Sequence, residues 1–297
     1  MRSFMIADDT FKLMTAASTA SRQDFMSIPS MWPDYRKFAD LRKGARTTGQ
    51  LDMSDVEWVY PTTLLPLTGF LVTSKGRDLM YLPPSDDDVA YYIRLMIASS
   101  PRDRPPRNSY VPNNVLPRKQ ADADAILNRV MKLQNDGREI GGQSAFAYLI
   151  GELTTNIYEH SEFRNAMVMA QRYEKKGFVE VTFYDDGITI PGSLRKAGFF
   201  YDTDLEAIKD AVNGKSSKEE LERGYGLGTN VRMCTDIDGL GGKVLVVSGQ
   251  GAFEYCLVKS EQCLYTLGKG LYSLDGTLIS IRIPYPTKEV SIYDFAD

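Results

Sequence analysis

The feature that most constrains this chain is the stretch Ser99–Lys119, SSPRDRPPRNSYVPNNVLPRK, which carries prolines at 101, 105, 106, 112 and 117. Proline lacks the amide proton that a helix or a strand ladder needs, so such a stretch cannot continue either. It predicts a Pro/Arg-rich linker over 101–119, with a smaller α/β domain before it (1–100) and a larger one after it (120–297). Arg102, Arg104, Arg107, Arg118 and Lys119 make the linker locally basic, which reads as a solvated crossing or as a contact for an acidic partner.

Composition narrows the function. The chain has 297 residues, 43% hydrophobic and 25% charged, with a formal net charge of −4, so it is an ordinary folded protein and a poor general nucleic-acid binder. Its single histidine, His160, excludes multi-histidine metal sites within one chain and leaves one candidate for any histidine-based triad. Cys234, Cys256 and Cys263 include no C-x-x-C pair and are expected to be reduced, buried thiols. The first residues lack the apolar core of a secretory leader. The most apolar stretch, Val59 to Val72, is broken by Pro61, Pro66 and Gly69 and is too short to span a bilayer. A cytoplasmic protein with no membrane partner is expected.

Local patterns place the elements. Residues 1–50 predict two short helices. Leu51, Met53, Val56, Trp58 and Val59 predict a buried strand, and Pro61 opens a helix with Leu64, Leu65, Leu67 and Phe70 inward. DLMYLPP predicts a second strand, and Val89 to Ser99 a helix capped by the acidic run Ser85–Asp88. Beyond the linker, helices are predicted over Ala121–Gln134, over GGQSAFAYLIGELTTNIYEHS and over TDLEAIKDAV. A further helix runs from about Leu227 to Asp236 after the polar loop GKSSKEELERGYGLG. NAMVMAQRY, FVEVTFY, KVLVVSG, AFEYCLV and GTLISIRIP predict strands, and DDGITIPG a loop.

Three motifs carry chemistry. Glu152, Asn156 and His160 recur every fourth residue, and each step drifts only roughly 40° around a helix, so they share one face. Asp185-Asp186-Gly187-Ile188-Thr189-Ile190 follows a strand, where a carboxylate can accept a hydrogen bond while the glycine turns the chain. Arg223-Gly224-Tyr225-Gly226-Leu227-Gly228-Thr229-Asn230 opens a helix, where free N–H groups favour phosphate. It is neither a P-loop nor the dinucleotide fingerprint, because the lysine and the directly preceding strand are missing.

Taken in order, E-x-x-x-N, D-x-G and G-x-G-x-G, with a final strand beginning Gly276-Thr277, resemble the ATP-binding domain of the GHKL (gyrase, histidine kinase, MutL) superfamily over about 120–290. The resemblance implies a Bergerat-type α+β two-layer sandwich, in which helices cover one face of a mixed, mostly antiparallel sheet. It also implies ATP and Mg²⁺ as ligands. It assigns Mg²⁺ to Asn156 and the general base to Glu152. Asp185 would take the adenine amino group, with Gly187, Ile190 and Thr277 beside it. Gly224, Gly226, Leu227 and Gly228 would wrap the phosphates. His160 is left open between a phosphate contact and a cap on the helix C-terminus. Thr189 stands where the family has a second glycine, and a β-branched residue there is expected to narrow the base pocket.

ELTTNIYEHS is most similar to the anti-sigma-factor serine kinases. A self-phosphorylating histidine kinase fits poorly, because the one histidine lies within the nucleotide helix. DMSDVEWVYPTTLLPL has a weaker resemblance to STAS domains, with Thr62 near the phosphoacceptor position. The resemblance implies an ATPase or serine/threonine kinase with a STAS-like or sigma-factor-like regulatory partner, and leaves a homodimer open. The alternative is a non-catalytic switch, in which ATP orders the Gly214–Arg223 lid and so gates a partner surface.

Overall fold

The structure, a computed structural model, describes residues 2–5, 28–73, 78–97, 109–134, 143–214, 227–236, 238–256, 261–267, 271–285, 290 and 295. Its helices are α1 (Trp32–Thr48), α2 (Pro61–Val72), α3 (Asp87–Ile97), α4 (Asp124–Met131), α5 (Gln143–His160), α6 (Ile190–Lys196), α7 (Asp204–Val212) and α8 (Leu227–Thr235). Its strands are β1 (Arg2–Met5), β2 (Gln50–Asp52), β3 (Met80–Leu82), β4 (Tyr110–Val115), β5 (Ala166–Tyr173), β6 (Phe178–Asp185), β7 (Lys243–Gly249), β8 (Gly251–Cys256), β9 (Glu261–Thr266) and β10 (Leu274–Pro284).

Eight strands form one sheet in the order β1-β9-β8-β7-β10-β6-β5-β4, while β2 and β3 pair separately. The β1–β9 pair is parallel and the other pairs of the large sheet are antiparallel. The expected mixed, mostly antiparallel α+β class is therefore present. Strand periodicity divides β6 cleanly. Val179, Val181 and Phe183 join the core beneath α4, α5, α7 and α8, where Ile279, Ile281 and Ile283 of β10 meet them. Tyr184 faces the other way, with Met167, Met169, Leu245, Val247 and Leu278, into a core completed by α1, α2 and α3. Burial on both faces explains why these strands read as continuous apolar runs.

The N-terminal helices thus add a layer on the sheet's second face and share their core with it. A buried polar network ties them down. Arg282 donates from Nε to Glu180 Oε2 at 2.8 Å and from Nη2 to Asp34 Oδ2 at 2.6 Å. Glu180 Oε1 accepts from the backbone N and Oγ1 of Thr62, at 2.8 and 2.7 Å. Thr62 therefore sits fully buried in the first turn of α2.

Several local expectations are revised. Of the two short helices expected over 1–50, the described residues contain one longer helix, α1, at 32–48; residues 6–27 lie outside the described set. The buried strand is only Gln50–Asp52, and Val56 to Tyr60 run on without pairing. Part of the presumed linker, Tyr110–Val115, is an edge strand on β5, and a register shift between Val111 and Asn114 accommodates Pro112 as edges and bulges permit. The loop after Asp185 closes into α6.

Among the described residues no helix is long and apolar enough to cross a membrane. Cys234 is buried and unbridged; the side chains of Cys256 and Cys263 lie outside the described set.

Candidate functional site

A cavity of about 110 Å³ opens between α5, α6, α7, α8 and the ends of β6 and β10. Six predicted site residues line it, namely Asn156, His160, Asp185, Ile190, Leu227 and Thr277. Leu153, Ile157, Leu194 and Ile279 give it apolar walls. The volume is below the ~300–1,000 Å³ usual for small-molecule pockets, so the enclosed space suits one end of a ligand.

The polar floor is built by strand register. Asp185 ends β6, and Thr277 lies opposite it on β10. Gly276, at φ +104°, precedes Thr277, and a Cβ there would stand 1.9 Å from the carbonyl oxygen of Asp185. The Gly-Thr pair is thus fixed by the aspartate's own backbone. Thr277 Oγ1 lies 2.9 Å from Ser248 Oγ, which accepts from the Ile190 N–H at 2.9 Å. Sheet and α6 are thereby joined around the cavity.

The two adjacent aspartates divide their work. Asp186 accepts from the backbone N–H groups of Arg164 and Asn165 at 2.8 and 2.7 Å and from Asn165 Nδ2, which is a structural duty. Asp185 faces the cavity and is 3% exposed. Burial lifts its carboxyl from 3.8 to about 7. The Gly187 N–H pulls the other way, the charge of Asp186 adds to the rise, and the Ser161 hydroxyl opposes it. A carboxyl poised this way gains from a ligand that donates a hydrogen bond to its ionised form.

Gly187 donates to Asp185 Oδ1 at 3.0 Å, and a Cβ there would meet the Ser161 carbonyl at 1.9 Å. The carbonyl accepts from the Ile188 N–H at 2.6 Å, so the glycine is needed where the loop crosses the end of α5. Thr189 lines the cavity, as its position suggested. Its backbone is extended, at φ −69° and ψ 161°, and its Oγ1 accepts from the Gly192 N–H at 3.1 Å as the cap of α6. The departure from glycine therefore does local work in starting a helix.

His160 is the last residue of α5 and borders the cavity. Glu152 lies two turns earlier on the same helix, half-buried and outside the cavity lining. Gly228 is buried in the first turn of α8. Gly224 and Gly226, with residues 215–223 of the lid, lie outside the described residues.

Sequence reading did not single out Ser161, Ser193 and Ser248. The available signal for Ser248 was a hydroxyl closing the apolar run VLVV; Ser161 and Ser193 had none. No group of three or more His, Cys, Asp and Glu side chains suited to a metal occurs among the described residues.

Comparison with family models, with curated proteins and with solved structures gives no match.

Proposed function

We propose that the cavity takes the base of ATP and that the chain is a Mg-ATP-dependent regulatory protein of the GHKL type, acting as an ATPase or a serine/threonine protein kinase. The observation that carries this reading is the convergence of Asn156, His160, Asp185, Ile190, Leu227 and Thr277 on one cavity. These residues come from separated motifs that each resemble a nucleotide-binding element of the GHKL domains.

In this reading Asp185 accepts from the adenine amino group with Thr277 beside it, and Gly187 and Ile190 frame the base. Gly224, Gly226 and Gly228 approach the phosphates. Nδ2 of Asn156 is buried without a hydrogen-bond partner among the described residues, and an amide's nitrogen and oxygen exchange by rotation. Asn156 therefore suits a Mg²⁺ whose other ligands are phosphate and water oxygens. That ion would supply charge neutralisation on the phosphates. Glu152 would take the proton of the attacking water or protein hydroxyl, and ADP would leave.

One observation favours a switch without turnover as a second reading. Glu152 stands outside the cavity lining, so binding does not by itself place a base at the reacting phosphate. Under either reading the partner is a regulatory protein, STAS-like or sigma-factor-like.

Titration calorimetry with Mg-ATP and Mg-GTP tests the binding claim, and saturable preference for ATP is expected. Incubation with γ-labelled ATP, scoring free phosphate and labelled protein, separates enzyme from switch. No binding of either nucleotide would refute both readings.

A further inference from the structure

α8 packs with Gly228 toward the end of α7, where a Cβ would meet the Val212 carbonyl at 2.6 Å. At about 100° per residue, Asn230 points roughly 160° away from that direction. It lies instead about 60° around the helix from Leu227, which lines the cavity. Exposed Arg232 and half-exposed Thr229 and Asp236 mark the outer side of α8. Asn230 is therefore on the inner side with Val231 and Cys234, on a helix that packs against α5.

Asn230 is 1% exposed, and neither its Oδ1 nor its Nδ2 has a hydrogen-bond partner among the described residues. An amide buried without partners opposes folding, and an apolar residue of similar shape would not. α5 presents a comparable group in the buried, unpartnered Nδ2 of Asn156. Asn156 and Leu227 both border the cavity, with Asn230 beside Leu227 but not itself in the lining, so a carboxamide unpartnered at Nδ2 and one unpartnered at both atoms stand on two packed helices that flank it. Carboxamides offer donors to phosphate oxygens and an acceptor to a cation or its waters. The first turn of α8, a nine-residue helix, adds the positive end of its dipole.

We propose that Asn230 is a nucleotide-binding residue whose carboxamide engages the polyphosphate end of the ligand. The proposal rests on the nucleotide reading above and extends it to Asn230, the end of the third motif, to which the resemblance assigns no role. The amide is left unpaired by the described residues and is paired by the phosphates or by the waters of their cation.

The test uses the full chain, with Asn230→Leu and Asn230→Ala beside wild type. Thermal unfolding is followed without ligand, and affinity is measured for adenosine and for a Mg-bound non-hydrolysable ATP analogue. Without ligand, Asn230→Leu should melt at or above the wild-type temperature. Both variants should keep adenosine affinity and bind the triphosphate about 10- to 100-fold more weakly, the span of one or two hydrogen bonds to a charged group. If Asn230→Leu does not fold, the affinities of Asn230→Ala decide.

Triphosphate affinity equal to wild type in the variants overturns the proposal and leaves the proposed function standing. Equal loss of adenosine and triphosphate affinity also overturns it, because the effect would then be on the site as a whole. Failure of wild type to bind any nucleotide removes the proposed function and this inference together.

Discussion

Thr277 lies directly across the sheet from Asp185, and the two share the cavity floor although 92 residues of sequence separate them. The hydroxyl of Thr277 is engaged by Ser248, which leaves the aspartate as the buried acid at the floor.

Asp185→Asn is therefore expected to weaken ATP by roughly 1.5–3 kcal/mol, the value of a hydrogen bond to a charged group, and to weaken GTP less. Calorimetry with both nucleotides checks it. Unchanged ATP affinity would remove Asp185 from the adenine site.

The same acid sets a pH dependence. Its carboxyl titrates at about 7 in the folded chain, against an ordinary 3.8. Between these values the folded state holds the extra proton, so this group's stabilising contribution is full below about pH 4 and is lost as pH rises through 7. Burial raises Asp34 to about 6 against the pull of Arg282, and this rise shifts stability in the same direction as that of Asp185. The stability difference between wild type and Asp185→Asn should shift against wild type from pH 4 to 7. Wild-type ATP affinity should rise over pH 6–8, and that slope should vanish in Asp185→Asn. Denaturant titrations and calorimetry at several pH values read both effects.

Binding and chemistry should separate along α5. Asn156→Ala should abolish Mg-dependent binding, whereas Glu152→Ala should still bind ATP and turn over about 10²–10⁴-fold more slowly. Loss of binding in Glu152→Ala with an unchanged specific rate would reverse the two roles.

Gly276→Ala should damage the site through the backbone. At φ +104°, with the Asp185 carbonyl 1.9 Å from the added Cβ, the strand must shift. A loss of about 1–3 kcal/mol in stability is expected, with nucleotide affinity falling in parallel. Wild-type behaviour in both measurements would contradict the described register.

Arg282→Met would leave Glu180, wholly buried, without its cationic partner. About 3–5 kcal/mol of destabilisation should follow. Removing both charges, as Glu180→Leu with Arg282→Met, should cost less than the single change. Urea melts of Arg282→Met, Glu180→Leu and the double variant provide the comparison, and additive losses would argue against a coupled network.

Much of this was legible from sequence, and the exceptions have physical causes. VLVV, LISI and FVEVTFY announced strands because both faces of the sheet are covered. α7 was legible in TDLEAIKDAV, and the structure shows Thr203 opening it with a capping box completed by Glu206. The single helix α1 was hidden because its inner stripe of Trp32, Tyr35, Phe38, Ala39 and Ala45 includes a buried Arg42, whose Nη2 is satisfied by the carbonyls of Leu271 and Ser273. β9 shows no alternation in EQCLYT, and β4 contains a proline that only an edge tolerates. At the site, Asp185 and Asn156 stood out by motif. Ser161 and Ser248 did not, since a hydroxyl's role depends on what the fold brings beside it.

The doubly covered sheet bears on how such a chain can be inherited. Shedding the first hundred residues would bare Met167, Met169, Tyr184, Leu245, Val247 and Leu278 to water, and would strip Arg282 of Asp34 and Glu180 of Thr62. A gene fragment encoding only the later part would then yield a sticky product. A recombination joint between the two segments would therefore be expected to cost folding even where the cavity itself stayed intact.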